Sequence, residues 1–199
     1  FKRINIMIKT LYLMRHGETL FNELKLKQGW SDSPLTKNGI EQATKAAEYF
    51  KSNNIIFHSA YSSTQERATD TLKIVTDAPF VQLKGLKERS FGYREATPER
   101  YDPKRAPGQM FLDQYFVDQG GESIEEVLSR YTHSLHEIME NDVNDKILVV
   151  GHGLANYLFF SKQENPKNIK YLMANCSIIK LIYENGKFTI QDMIDPSEY

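Results

Sequence analysis

The sequence predicts an α/β fold, a three-layer sandwich in which helices cover both faces of a mostly parallel central sheet. Three observations predict it. Short β-rich apolar runs alternate with segments whose apolar residues recur at helical spacing. The run at 146–150 is the kind of uninterrupted apolar stretch that a strand buried on both faces carries. An Asn185-Gly186 pair between two closing runs supplies the positive φ values of a tight hairpin, which places an antiparallel edge on the sheet. With 199 residues, 40% of them hydrophobic and 26% charged, the chain is long enough to bury one sizeable core. One domain over residues 1–199 is expected, because no internal repeat, low-complexity tract or linker divides it.

Residues 9–14 are β-rich and form the first strand. Ile40, Ala43, Ala47 and Phe50 follow at spacings of three and four, so 36–53 reads as an amphipathic helix. The apolar run 55–57 opens a second strand that ends at Ser59-Ala60-Tyr61-Ser62-Ser63. There Ser63 and Glu66 have the spacing of a capping box and start a helix running to about Asp77. Residues 80–83 make a third strand. A helix over 122–140 follows, with Ile124, Val127, Leu128, Tyr131, Leu135 and Ile138 on one face. After the buried strand at 146–150, Gly151-His152-Gly153 leads into a helix through Leu158 and Phe159, then a polar turn containing Pro166. Runs at 178–183 and 187–190 close the fold. The first six residues, ahead of Met7, read either as a leader or as residues foreign to the natural protein, and no element of the fold is assigned to them.

Residues 92–121 escape this alternation. Pro98, Pro103, Pro107 and Gly108 are mixed there with Arg94, Arg100, Lys104, Arg105, Met110, Phe111, Tyr115 and Phe116. The pattern is an irregular insertion with short helical pieces, and long irregular segments in compact domains commonly serve as lids or binding loops.

Charge and composition exclude several classes of function. A net charge of −1, without a dense Lys/Arg block, argues against a nucleic-acid partner bound by bulk electrostatics. No apolar run approaches the roughly 20 residues that span a bilayer, so no membrane partner is expected. Cys176, the one cysteine, excludes an intrachain disulfide and a cysteine-rich metal site. It reads as a buried structural thiol in a cytoplasmic protein. The number of subunits is left open.

Chemistry gathers at strand ends. In open α/β sheets ligands bind at the carboxyl ends of the strands, which singles out polar residues immediately after them. Arg15 and His16 end the first strand, and Arg67 lies in the first turns of the helix after the second. Glu88 and Arg89 follow the third, and His152 ends the strand at 146–150. A phosphate monoester is dianionic, so a fork of Arg15 and Arg67 would neutralise it and orient it for attack by imidazole. His16 is the nucleophile. The neighbouring cations disfavour a third positive charge and keep it neutral, and its other nitrogen needs a fixed acceptor such as the Gly17 carbonyl. Glu88 would protonate the leaving alkoxide, its protonated form favoured by the bound dianion, and would then activate water. His152 would bind an equatorial oxygen of the transition state. The scheme needs no metal. His58, His133 and His136 lack partner residues around them and read as structural or solvated.

The stretch Arg15-His16-Gly17-Glu18-Thr19 resembles the signature of the histidine phosphatase superfamily, which contains the cofactor-dependent phosphoglycerate mutases and many phosphomonoesterases. Asn22, Gln28-Gly29-Trp30 and Asp32-Ser33-Pro34-Leu35-Thr36-Lys37-Asn38-Gly39 are similar to that family's first loop and helix start. Ser62-Ser63 with Arg67-Ala68 and Thr71, Glu88-Arg89-Ser90-Phe91-Gly92, Gly121-Glu122-Ser123 and Gly151-His152-Gly153 resemble its later blocks. The resemblance implies a phosphorylated histidine at His16 and phosphate or substrate contacts from Asn22, Gln28, Gly29 and Arg89. Gly153 and Leu154 complete the expected substrate-binding set. Two positions depart from the pattern. Leu72 stands where many members have alanine, and Ala96 stands where glycine is usual, at the entry to the insertion.

The expectation is therefore a phosphomonoesterase acting on a small phosphorylated metabolite through phospho-His16, without a cofactor. The alternative is a phosphoglycerate mutase, primed by 2,3-bisphosphoglycerate. The mutases usually carry a longer, more basic insertion and a C-terminal tail, whereas here the sequence stops at Tyr199 soon after its last strand. A non-catalytic module that binds phosphorylated ligands is a third reading.

Overall fold

The computed structural model describes residues 8–163 and 174–199. The leader at 1–6 and the turn at Pro166 lie outside the described residues. Six strands form one sheet in the order β3-β2-β4-β1-β5-β6: β1 Lys9–Arg15, β2 Ser59–Ser63, β3 Phe80–Leu83, β4 Lys146–Gly151, β5 Ile178–Glu184 and β6 Lys187–Ile194. The pairs β3-β2, β2-β4 and β4-β1 are parallel, and β5 and β6 add an antiparallel edge. The α/β sandwich with a mostly parallel sheet is thus the observed fold. Asn185 and Gly186 turn the closing hairpin at φ 52° and 75°.

Helices α2 Lys37–Ser52 and α3 Glu66–Val75 cover one face of the sheet. Helices α5 Ile124–Asn141 and α6 Gly153–Phe160 cover the other. The short α1 Leu20–Glu23 and α4 Asp113–Asp118 lie in the first loop and in the insertion. Side chains alternate along a strand, so β1 sends Leu11 and Leu13 to the α5–α6 side and Tyr12 and Met14 to the α2–α3 side. This two-sided burial explains why β1 and β4 are apolar throughout. Among the described residues no helix is long and apolar enough to cross a membrane.

Three expectations about local structure change. The second strand is the serine-rich Ser59–Ser63, not the apolar run before it, and Ile56 is 66% exposed. Ser62 and Ser63 are fully buried because their hydroxyls find partners inside the sheet edge. Helix α3 begins one residue after Gln65 with no side-chain cap, and Ser63 forms no capping box with Glu66. The buried stripe of α2 is Gly39, Ala43, Ala46, Tyr49 and Phe50, which leaves Ile40 exposed. Close approach selects that stripe: a Cβ on Gly39 would stand 2.0 Å from the Glu18 carbonyl oxygen. A capping box does open α5, with Ser123 accepting from Glu126 N–H and the Glu126 carboxylate from Ser123 N–H.

Candidate active site

β1 and β4 are parallel neighbours with Arg15 opposite Gly151, so His16 and His152 each occupy the first position beyond adjacent strands. Their ring centroids lie 5.3 Å apart. His16 N–H donates to the Gly151 carbonyl at 3.1 Å, and the His16 carbonyl accepts from the Asn175 side chain at 3.0 Å. Both histidines are buried. The register of two core strands therefore fixes the backbone beneath both rings.

His16 Nδ1 is 2.7 Å from the Gly17 carbonyl. A carbonyl can only accept, so the ring proton sits on Nδ1 and Nε2 carries the lone pair. Arg67 Nε–H donates to that Nε2 at 3.3 Å. The rest of the Arg67 guanidinium is held by the carbonyls of Gly29 and Ser31 and by Asp32 Oδ1, at 2.8–2.9 Å. Burial holds His16 well below the usual imidazole range, and the Arg67 and Arg15 cations push it further down against the opposing bond from Gly17. His152 is held well below its range by burial, then by Arg67, His16 and Arg15. Burial also lowers Arg15, partly offset by the Glu88 carboxylate.

His152 precedes α6 as its N-cap, and its Nε2 lies 2.7 Å from Ser63 Oγ. Ser63 Oγ already accepts from Gln65 N–H, so its own proton is available to His152 Nε2. With Ser63 as the donor, His152 Nδ1 bears the ring hydrogen; among the described residues Nδ1 has no hydrogen-bond partner. Arg15 lies against the same helix start, where a Cβ on Gly153 would come within 3.1 Å of its Nε. Glu88 closes the site from the third strand's side. Its Oε1 accepts from Arg89 N–H at 2.8 Å and Ala155 N–H at 3.1 Å, and its Oε2 from Leu154 N–H at 3.0 Å. A carboxylate at these free amides interacts favourably with the α6 dipole.

The sequence profile of the histidine phosphatase superfamily (branch 1) matches residues 11–196. The chain belongs to the histidine phosphatase superfamily. It is 28% identical over 185 residues to the uncharacterized phosphatase PhoE of Bacillus subtilis, covering 90% of this chain and 91% of that one. It is 42% identical over 208 residues to a 2,3-bisphosphoglycerate-dependent phosphoglycerate mutase of Buchnera aphidicola, covering 94% and 88%. The crystal structure of a phosphoglycerate mutase from Bacillus anthracis superposes with a TM-score of 0.83 at 27% identity, covering 97% of this chain and 96% of the other. Relatives bearing phosphatase names and mutase names thus both align over nearly the whole chain.

In this superfamily member the structure brings Arg15, His16, Arg67, Glu88, His152 and Gly153 together. Gln28 and Gly29 border the same centre. Gln28 Nε2 donates to Thr19 Oγ1, while its buried Oε1 has no hydrogen-bond partner among the described residues. Gly29 adopts φ +57°, and a Cβ there would meet Glu95 Oε1 at 2.5 Å, so only glycine lets its carbonyl reach Arg67. Asn22 closes the capping box of α1 with Thr19, and its Oδ1 also accepts from Asn175. Arg89 stands apart from the two histidines. Its guanidinium donates to the Glu122 carbonyl and pairs with Asp113, under the insertion, while Leu154 joins the two regions.

Several residues that organise the centre have no sequence-level signal. Gln65 donates to the Gly29 carbonyl at 2.6 Å and accepts from Glu88 N–H at 2.8 Å, linking the arginine-holding loop to Glu88. Arg130 on α5 donates to the carbonyls of Gly85, Lys87 and Glu88 and pairs with Glu122. Glu95 accepts from the backbone N–H of Trp30, Ser31 and Phe91. Ala96 beside it takes φ +55° and donates to the Lys27 carbonyl at 2.7 Å. The alanine thus adopts the left-handed backbone that suits glycine, and the entry to the insertion keeps that path. His136 packs against Tyr183 and Phe188, and His133 is 72% exposed beside Glu137.

Proposed function

We propose that the protein is a phosphomonoesterase that hydrolyses a small phosphorylated metabolite through a phosphohistidine on His16, with Glu88 as proton donor. The observation that carries this reading is the His16 tautomer: Nδ1–H is bound to the Gly17 carbonyl, and Nε2 is a neutral lone pair facing a buried guanidinium. In the first step Nε2 attacks phosphorus, and Arg67 Nε–H transfers its hydrogen bond to a phosphoryl oxygen. Arg15 supplies the second positive charge, and His152 Nδ1–H donates to another oxygen as charge spreads. A half-turn of the Gln28 amide gives its NH2 to the phosphate and its Oε1 to the Thr19 hydroxyl proton. The ester P–O bond breaks, and the alkoxide takes its proton from Glu88. Water then attacks the phosphohistidine and gives a proton to the Glu88 carboxylate. The N–P bond breaks, its electron pair returns to Nε2, and phosphate leaves. In this reading the enzyme works in the cytoplasm without a resident metal or cofactor.

The mutase reading draws support from the 42% identical Buchnera mutase, and it would need 2,3-bisphosphoglycerate to prime His16. Purified protein given an aryl phosphate in the presence of chelator should release phosphate, and His16→Ala should not. Equal release by the variant would defeat the phosphoenzyme, and no release by the parent would favour a binding module. With 3-phosphoglycerate and a trace of 2,3-bisphosphoglycerate, a phosphatase yields inorganic phosphate and a mutase yields 2-phosphoglycerate.

A further inference from the structure

A cavity of about 630 Å³ opens between the insertion and the start of α6. Its apolar lining comes from Phe91, Met110, Phe111, Leu112, Phe116 and Leu154. Leu154 borders both spaces, since its N–H holds Glu88 Oε2 while the residue lines the cavity. A group attached to the oxygen that Glu88 protonates therefore extends into this apolar space.

Two cations are buried in the lining, and each meets an acid of the insertion. Lys27 Nζ is 2.6 Å from Asp102 and lies 4.8 Å from the ring centroids of Phe91 and Phe116. Arg89, 1% exposed, is 2.6 Å from Asp113 Oδ1 and donates its Nε–H to the Glu122 carbonyl. Asp113 Oδ1 is itself fixed by Ile124 N–H at 2.9 Å, so the carboxylate is anchored to the start of α5. The remaining lining cations, Arg100, Lys104 and Arg105, are exposed at the rim beside Glu99. Arg100 lies over the Tyr101 ring, and Arg105 donates to the Met110 carbonyl. Exposed cations of this kind draw in any phosphate ester and are screened by salt.

We propose that Asp113 is a specificity-determining residue. By holding the Arg89 guanidinium it removes the carboxylate receptor from the cavity floor. The site then favours phosphate esters of apolar, ring-sized alcohols over esters bearing a second anionic group. This inference rests on the phosphatase reading above and names its substrate class.

Phenyl phosphate and 4-carboxyphenyl phosphate make a matched pair of probes, tested on the parent, Asp113→Asn and Asp113→Ala. The parent should prefer phenyl phosphate. Asp113→Asn keeps an acceptor for Ile124 N–H and frees the Arg89 charge. It should raise the kcat/KM ratio of carboxyphenyl to phenyl phosphate by about tenfold, mainly through KM, the order expected of one charge-assisted hydrogen bond gained. Adding Arg89→Ala to Asp113→Asn should erase the gain. An unchanged ratio in both Asp113 variants, an equal loss on both substrates, or a parent that already prefers the carboxylated probe would overturn the proposal. A parent that hydrolyses neither probe would instead defeat the phosphatase reading, and this inference with it.

Discussion

The strand-end centre and the insertion at 92–121 meet at Leu154, and they aim their buried cations at different partners. In the centre, the backbone carbonyls of Gly29 and Ser31 and the Asp32 carboxylate hold the Arg67 guanidinium, which keeps Nε–H on the His16 ring. Beside the insertion, Arg89 and Lys27 are paired with its Asp113 and Asp102. Both arginines are buried, so burial does not separate their roles. Each is also paired with a carboxylate of the same chain, Arg67 with Asp32 and Arg89 with Asp113; what separates them is where Nε–H points, to His16 Nε2 from Arg67 and to the Glu122 carbonyl from Arg89. The strand ends supply a fixed electrostatic frame, and the insertion shapes the space beside it.

The comparison is broken most severely at Arg67. Arg67→Lys keeps the charge but cannot reach His16, Gly29 and Ser31 together, because an ammonium lacks the planar fork. A loss of about 10²–10³ in kcat is expected, the cost of one preorganised donor to the transition state, and steady-state kinetics on an aryl phosphate checks it. A smaller effect follows from pH. Both His16 and His152 are depressed by burial first and by neighbouring cations second. The unfolded chain therefore takes up protons near pH 6.5 that the folded chain refuses. Stability is fully present above that value and falls as pH drops below it, toward the depressed folded values, by up to about 1.4 kcal/mol per pH unit for each histidine. Urea unfolding between pH 7.5 and 5 should show this slope, and replacing either histidine by asparagine should flatten it. The smallest effect belongs to the insertion's entry. Ala96→Gly relieves a left-handed Cβ worth roughly 1–2 kcal/mol but adds freedom to the unfolded chain, leaving a gain of up to about 1 kcal/mol. Its kcat should stay within about twofold, since Ala96 touches no reacting group; calorimetry and kinetics together test this.

The strand ends were legible because β1 and β4 are buried on both faces, which forces an apolar run to stop where chemistry begins. His16, Arg67, Glu88 and His152 could be selected on that basis, and even the Gly17 acceptor follows from its being the adjacent carbonyl. Periodicity places the second strand too early in the sequence because it registers apolar side chains and not buried hydroxyls. Ser62 and Ser63 are inside because Thr69 and His152 answer their hydroxyls. The same blindness hid Gln65, Arg130 and Glu95, whose work is to hold backbone groups of loops that meet only in three dimensions. Arg89 read as a substrate ligand by resemblance, and its pairing with Asp113, 24 positions later, emerges only once the insertion folds over it.

The most direct test of the central claim is to trap the intermediate in Glu88→Gln. With an aryl phosphate the leaving group needs little proton help, so transfer to His16 continues while hydrolysis, which needs the carboxylate as base, slows. Rapid quenching at alkaline pH and peptide mass spectrometry should find one phosphoryl group on His16. A phosphoryl group on another residue, or turnover by the parent with none on the protein, would contradict the account.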